Sequence, residues 1–291
     1  MSTDVVTASL LASLALVMFG LGSTLRPQDF RRVVDRPKIV LVALAIQLVL
    51  LPFLCFGIVI ACDLPPAFAV GMMVLVASPG GTAANLFSHL AGGDVALNIT
   101  LTAINSVLSL VALPVVVNLS IAHFMGAGAS VGLQVDKVVQ VVVLVLGPAV
   151  IGMWVRHRYP RFAEGSGRAL NVVSVAVLVL VIAAALIGNL RAVIDNFAAL
   201  GLATLLLSVG SLAVGYAIPR MLRIGRQQSI ASSFEIGVHN ATLAIAVAAG
   251  VLQSQEIAVA PAIYGLVMYV PAAVCCYLFA RGGVRAASSR P

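Results

Sequence analysis

One carboxylate in this chain stands where a carboxylate is costly to keep. Of ten acidic residues, nine fall in polar connections or at the ends of apolar runs, and Glu235 alone lies inside one. No lysine or arginine occupies the same depth to pair with it. An unpaired charge in an apolar medium is too expensive to persist, so Glu235 must be protonated or neutralised by a bound cation. Neutral oxygen donors occur at comparable positions of other runs: Gln47, Asn85, Asn98 and Thr102. Asn98 and Thr102 are one helical turn apart, and Asn105 and Ser109 continue that face, where hydrogen bonding between helices is an equal reading. Hard cations select oxygen, and a monovalent one needs several neutral oxygens and about one carboxylate, which this set supplies.

The elements that position these residues follow from composition. The chain has 291 residues, 61% hydrophobic and 9% charged, with mean hydropathy +1.11. Soluble domains carry roughly 25% charged residues, so this surface faces lipid. The apolar runs reach the ~20 residues that cross a hydrocarbon core. Valine-rich stretches such as Val138 to Val155 are too long and too uniform for strands, and in lipid a helix satisfies its own backbone. The expected fold is an all-α membrane protein with about nine spans, at 5–25, 38–61, 67–91, 95–123, 136–155, 168–189, 196–218, 228–252 and 258–280.

Two spans break near their middles. The third reads Ser78-Pro79-Gly80-Gly81-Thr82-Ala83-Ala84-Asn85, in which Pro79 cannot donate to the Leu75 carbonyl and two glycines withdraw steric support for helix. The eighth reads Glu235-Ile236-Gly237-Val238-His239-Asn240. These spans lie five apart and cross in opposite directions, the pattern of inverted-topology repeats whose broken helices mark a transporter's binding site. A kink explains either break alone, but two at one depth, packed with polar residues, point to a site. Each second half begins with free N–H groups and a partial positive charge, at Thr82 and Asn240. With no deep cationic side chain, these helix starts are the receptors for an anion. The residues together imply a cation-coupled carrier of small organic anions.

Charge sets the orientation. With the N-terminus outside, 15 of the 17 basic residues fall on the inner side, leaving only Lys137 and Arg191 opposite. The positive-inside rule therefore predicts a multi-pass protein of the inner (plasma) membrane, with N-terminus outside and C-terminus cytoplasmic. The basic loops meet anionic lipid, which accounts for the net charge of +7 without nucleic acid. One transmembrane transport domain is expected over 1–281, with a short disordered cytoplasmic tail at 282–291. The first run lacks the basic flank of a cleaved signal. Cys55, Cys62, Cys275 and Cys276 lack metal or redox spacing and read as apolar packing residues. His89, His123 and His157 lie toward span ends. An enzyme would need a nucleophile beside His239 or clustered acids, and neither is evident. A channel or sensor is another, more distant alternative, separable from a carrier by saturable, gradient-driven accumulation.

At these motifs the chain resembles the bile acid:sodium symporter family. The resemblance runs through Ser78 to Asn85, Phe234 to Asn240, Met18-Phe19-Gly20-Leu21-Gly22-Ser23-Thr24-Leu25, and Gln47 five residues before Pro52. It implies a core domain holding two crossed discontinuous helices and a panel domain, with nine spans instead of the ten of many bacterial members. It implies sodium-coupled symport, by alternating access, of a bile acid-like molecule or a small carboxylate such as a keto acid or pantoate. One sodium ion would use the Ala84 carbonyl, Asn85, Asn98, Thr102 and Glu235. A second would use Gln47, Glu235, His239 and the carbonyls of Ile236 and Val238, with no metal other than sodium. The chain departs from the family where a serine is replaced by Ala84, another by Asn98, and a glutamine by His239. Imidazole nitrogen is a poor sodium ligand, so His239 could instead carry a proton, hydrogen-bond the substrate, or sit neutral in the core. A proton-coupled or uncoupled organic-anion carrier is the corresponding alternative.

Overall fold

The computed structural model describes residues 36–126, 135–159 and 190–288, together with a few single positions outside them. The expected spans at 5–25 and 168–189, and the Met18 to Leu25 motif, lie outside these continuous stretches. Among the described residues the structure is helical, and no strand forms beyond one isolated backbone bridge. Helix α1 covers Pro37–Ala61, α2 Pro66–Ala77, α3 Thr82–Leu90, α4 Val95–Phe124 and α5 Val135–Arg158. A short α6, Leu190–Asp195, leads into α7, Phe197–Met221. Then follow α8 (Arg226–Gly237), α9 (Ala241–Val251), α10 (Gln255–Val267) and α11 (Tyr269–Ser288). Among the described residues three stretches are long and apolar enough to cross a membrane, namely α1, α7 and the run Gln255–Arg281, and bent α4 makes a fourth.

Both expected breaks are present. The run expected as the third span is divided into α2 and α3 by Ser78–Gly81, and the run expected as the eighth into α8 and α9 by Val238–Asn240. Glu235 sits on the last turn of α8, just before the chain unwinds. Two further irregularities have local causes. The π turn Ile46–Leu50 of α1 immediately precedes Pro52, whose ring would clash with the carbonyl four residues back in a regular helix. A bend of 55° divides α4 between Ser109 and Val111, where Pro114 removes the N–H that the carbonyl of residue 110 would accept. One expectation fails at the C-terminal end: α11 continues to Ser288, so most of the tail expected to be disordered is helical. Ala286, Ala287 and Arg285 are good helix formers and outweigh the glycine pair before them.

Polarity is arranged inside out. Phe53, Leu41, Val111, Leu119 and Val270 point outward, while Gln47, Asn98, Thr102, Asn105 and Glu235 are buried. In water this would be an aggregating surface, and in a bilayer it is the face that lipid or further helices cover. Close helix approach comes from small residues. A Cβ on Gly71 would lie 2.3 Å from the Ile257 carbonyl oxygen, so α2 can touch α10 only through glycine.

Candidate functional site

The two breaks are held to each other by backbone. The Gly81 N–H donates to the Val238 carbonyl at 2.7 Å, and the Asn240 N–H donates to the Pro79 carbonyl at 2.9 Å. Gly80 and His239 form the antiparallel bridge between them. Each unwound segment thereby supplies partners that the other lost with its helix, which meets the demand that buried backbone groups be paired. Non-helical backbone at this position, buried in protein, is where a membrane protein tolerates it.

Glu235 lies fully buried beside this crossing. Thr102 Oγ1 is 2.5 Å from its Oε2, Asn105 Nδ2 donates to Oε1 at 3.1 Å, and the Gly80 backbone N–H is a third donor. Three donors therefore converge on one buried carboxyl. Among the described residues the single salt bridge is Arg36–Asp94 at 3.0 Å, which ties the start of α1 to the N-cap of α4. Among the described residues no basic side chain is paired with Glu235. Gly80 is demanded by clearance: a Cβ there would lie 2.4 to 2.5 Å from the carboxyl atoms of Glu235.

The remaining candidates surround this centre. Asn98 Nδ2 donates to the Ala231 carbonyl at 2.8 Å, locking α4 to α8, while its Oδ1 is buried and accepts nothing among the described residues. Thr102 Oγ1 also lies 3.1 Å from the Asn98 carbonyl, so its one proton can turn to either acceptor. Gln47 Nε2 donates to the Val76 and Ser78 carbonyls, at 3.1 and 3.2 Å, at the end of α2. The oxygens Gln47 Oε1 and Asn85 Oδ1 are buried without a described partner, as are both ring nitrogens of His239. The His239 ring lies 5.5 Å from that of Tyr264. Ala84 and Ile236 are fully buried. Asn240 Oδ1 accepts from the Leu243 N–H at 3.0 Å and so caps α9, and Thr82 is the first residue of α3.

Thr102 and Glu235 are thus in direct contact, whereas Gln47 and Asn85 make no hydrogen bond to Glu235 among the described residues. Sequence reasoning left Asn105 undecided and missed Tyr264, whose hydroxyl donates to the Gly237 carbonyl at 3.0 Å. Spacing carried a signal for Asn105, seven residues beyond Asn98 on one face. None existed for Tyr264. A separate cavity of about 380 Å³ lies between α1, α2 and α4, lined mainly by apolar groups together with Ser120 and His123, and includes none of the predicted site residues.

Residues 11–196 match the Sodium Bile acid symporter family. The chain belongs to this family. It is a family of transporters rather than of enzymes, and its membership together with the apolar helices makes the chain a multi-pass membrane protein. The match takes in the first break and ends before the second. Relatives in the family include the uncharacterized sodium-dependent transporter YocS of Bacillus subtilis, 36% identical over 106 residues, which is 36% of this chain and 33% of YocS. The human ileal sodium/bile acid cotransporter is 32% identical over 101 residues, 35% of this chain and 29% of its own. The human sodium-dependent organic anion transporter is 30% identical over 106 residues, 36% of this chain and 28% of its own. The chain therefore spans a third or less of the length of these relatives in each alignment.

Proposed function

We propose that this protein is a sodium-coupled symporter of a small organic anion, bile acid-like or a small carboxylate, working by alternating access. The observation that carries the reading is Glu235, a buried carboxyl held by three donors at the crossing of two broken helices, with no cationic side chain paired to it among the described residues. A sodium ion supplies the missing charge. The unpaired oxygens of Asn85 and Asn98, the Thr102 hydroxyl and the Ala84 carbonyl are its neutral ligands in this reading. When the ion binds, the Thr102 proton turns to the Asn98 carbonyl and leaves an oxygen lone pair for the metal. Gln47, Glu235, His239 and the Ile236 and Val238 carbonyls form a second, weaker position, because imidazole substitutes poorly for an amide oxygen.

The substrate anion is received at the starts of α3 and α9, Thr82 and Asn240, where helix N–H groups converge. The names of the relatives, with sodium, bile acid and organic anion among them, support both halves of this reading. In this account the crossed broken helices belong to a core domain that rocks against a panel domain, in a protein of nine spans with residues 1–281 as one transport unit. It sits in the inner membrane with its N-terminus outside.

Substrate and ion sites are separable by experiment. In proteoliposomes with a sodium gradient, Thr82→Ala and Asn240→Ala weaken affinity for a transported labelled carboxylate more than affinity for sodium. Asn240→Ala also removes a helix cap worth about 1 kcal/mol, so its stability is measured alongside. Equal losses of both affinities would make the two residues structural only.

A further inference from the structure

Asn98, Thr102 and Asn105 follow one another on the interior face of α4, none more than 2% exposed. All three reach α8. Asn98 holds the Ala231 carbonyl, Thr102 faces Glu235 Oε2, and Asn105 Nδ2 holds Glu235 Oε1. A contact between helices would explain Asn105 if both ends of its amide were engaged. They are not, because Asn105 Oδ1 is buried and accepts from no described group.

That stranded oxygen is the informative part. Leaving a buried acceptor unpaired costs about 1–3 kcal/mol. Threonine or serine could donate to the carboxylate without exposing an amide carbonyl to the interior. Reversing the amide would set its oxygen against Glu235 Oε1, two acceptors face to face, so the nitrogen stays on the carboxylate. Oδ1 is then fixed on the amide that holds the Glu235 carboxyl, with no described group donating to it. A metal cation is the partner that satisfies a carboxylate and a neighbouring neutral oxygen together.

We propose that Asn105 is a further ligand of the cation held by Glu235, giving its Oδ1 to the ion while its Nδ2 orients the carboxylate. This rests on the reading of Glu235 as a sodium site. It places the ion against α4 between the first and last members of the Asn98–Thr102–Asn105 row, and makes α4 the main source of neutral oxygen.

The test uses the purified full chain in detergent, with sodium or lithium chloride titrated against choline chloride at constant ionic strength. Thermal unfolding is the readout, because a ligand that binds only the folded state raises Tm. Sodium stabilises the wild type, and Glu235→Gln abolishes that effect. Asn105→Leu moves the sodium midpoint upward about tenfold or more, as expected for losing a contact with a charged group. Its sodium and lithium midpoints move by different factors, because removing a ligand changes the size of the coordination shell. Asn105→Ser, too short to serve both partners, moves the midpoint the same way and stands in if the leucine variant does not fold. A sodium midpoint unchanged in both Asn105 variants, with Tm altered equally in sodium and choline, would overturn the inference while leaving Glu235 intact. Equal factors for the two ions would overturn the ligand assignment. Sodium stabilisation surviving in Glu235→Gln would instead overturn the underlying site.

Discussion

At the scale of single residues, Glu235 was legible because an acid inside an apolar run has few structural uses. The role of Gly80 was not. In sequence it reads as a helix breaker beside Pro79, and only the fold shows that its missing side chain is the space the Glu235 carboxyl occupies. The two explanations make different predictions. If Gly80 served only to break the helix, alanine would be tolerated, since Pro79 and Gly81 remain. Because a Cβ would come within 2.5 Å of the carboxyl oxygens, Gly80→Ala must push Glu235 off the Thr102 and Asn105 donors. The expected result is a sodium midpoint raised roughly tenfold or more in thermal titrations, the equivalent of losing one hydrogen bond to a charged group. An unchanged midpoint would show that the clearance is not needed. Asn105 was half legible: helical spacing put it on the right face, but spacing alone cannot say which side chain reaches across to α8.

At the scale of elements, both breaks could be located from Pro79, the adjacent glycines and the polar run around Gly237. What could not be read was how two unwound segments, far apart in sequence, satisfy each other. The Gly81–Val238 and Asn240–Pro79 hydrogen bonds depend on the crossing geometry of the two spans, which no local pattern encodes. The last carbonyls of a broken helix also need donors. Tyr264, fully buried on α10, provides one to Gly237 at the end of α8. Tyr264→Phe keeps the ring and deletes only this donor. It should destabilise the protein by about 1–3 kcal/mol, the cost of a buried carbonyl left unpaired. Thermal unfolding of the purified variant in detergent measures this, and an unaltered Tm would mean that another group already satisfies the carbonyl. The tail errs in the other direction. The stretch from 282 was expected to be disordered, but α11 continues to Ser288.

At the scale of the whole molecule, composition was sufficient for the class. With 9% charged residues and long apolar runs, a helical membrane protein is the consistent solution, and the outward apolar and inward polar faces agree with it. Family membership adds the transporter setting, and its match closes before α8. The proposed role of the second break therefore rests on physics: a buried carboxyl, convergent donors and unpaired oxygens around one crossing. If that constellation is the coupling site, sodium binding and substrate accumulation must fail together when its charge is removed. The most direct measurement is uptake of a transported labelled organic anion into proteoliposomes, with and without an inward sodium gradient, by the wild type and Glu235→Gln. Glutamine keeps the shape and an oxygen but not the charge. The account predicts gradient-driven accumulation by the wild type and only equilibration, insensitive to sodium, by the variant. Accumulation by Glu235→Gln with the sodium dependence of the wild type would contradict it.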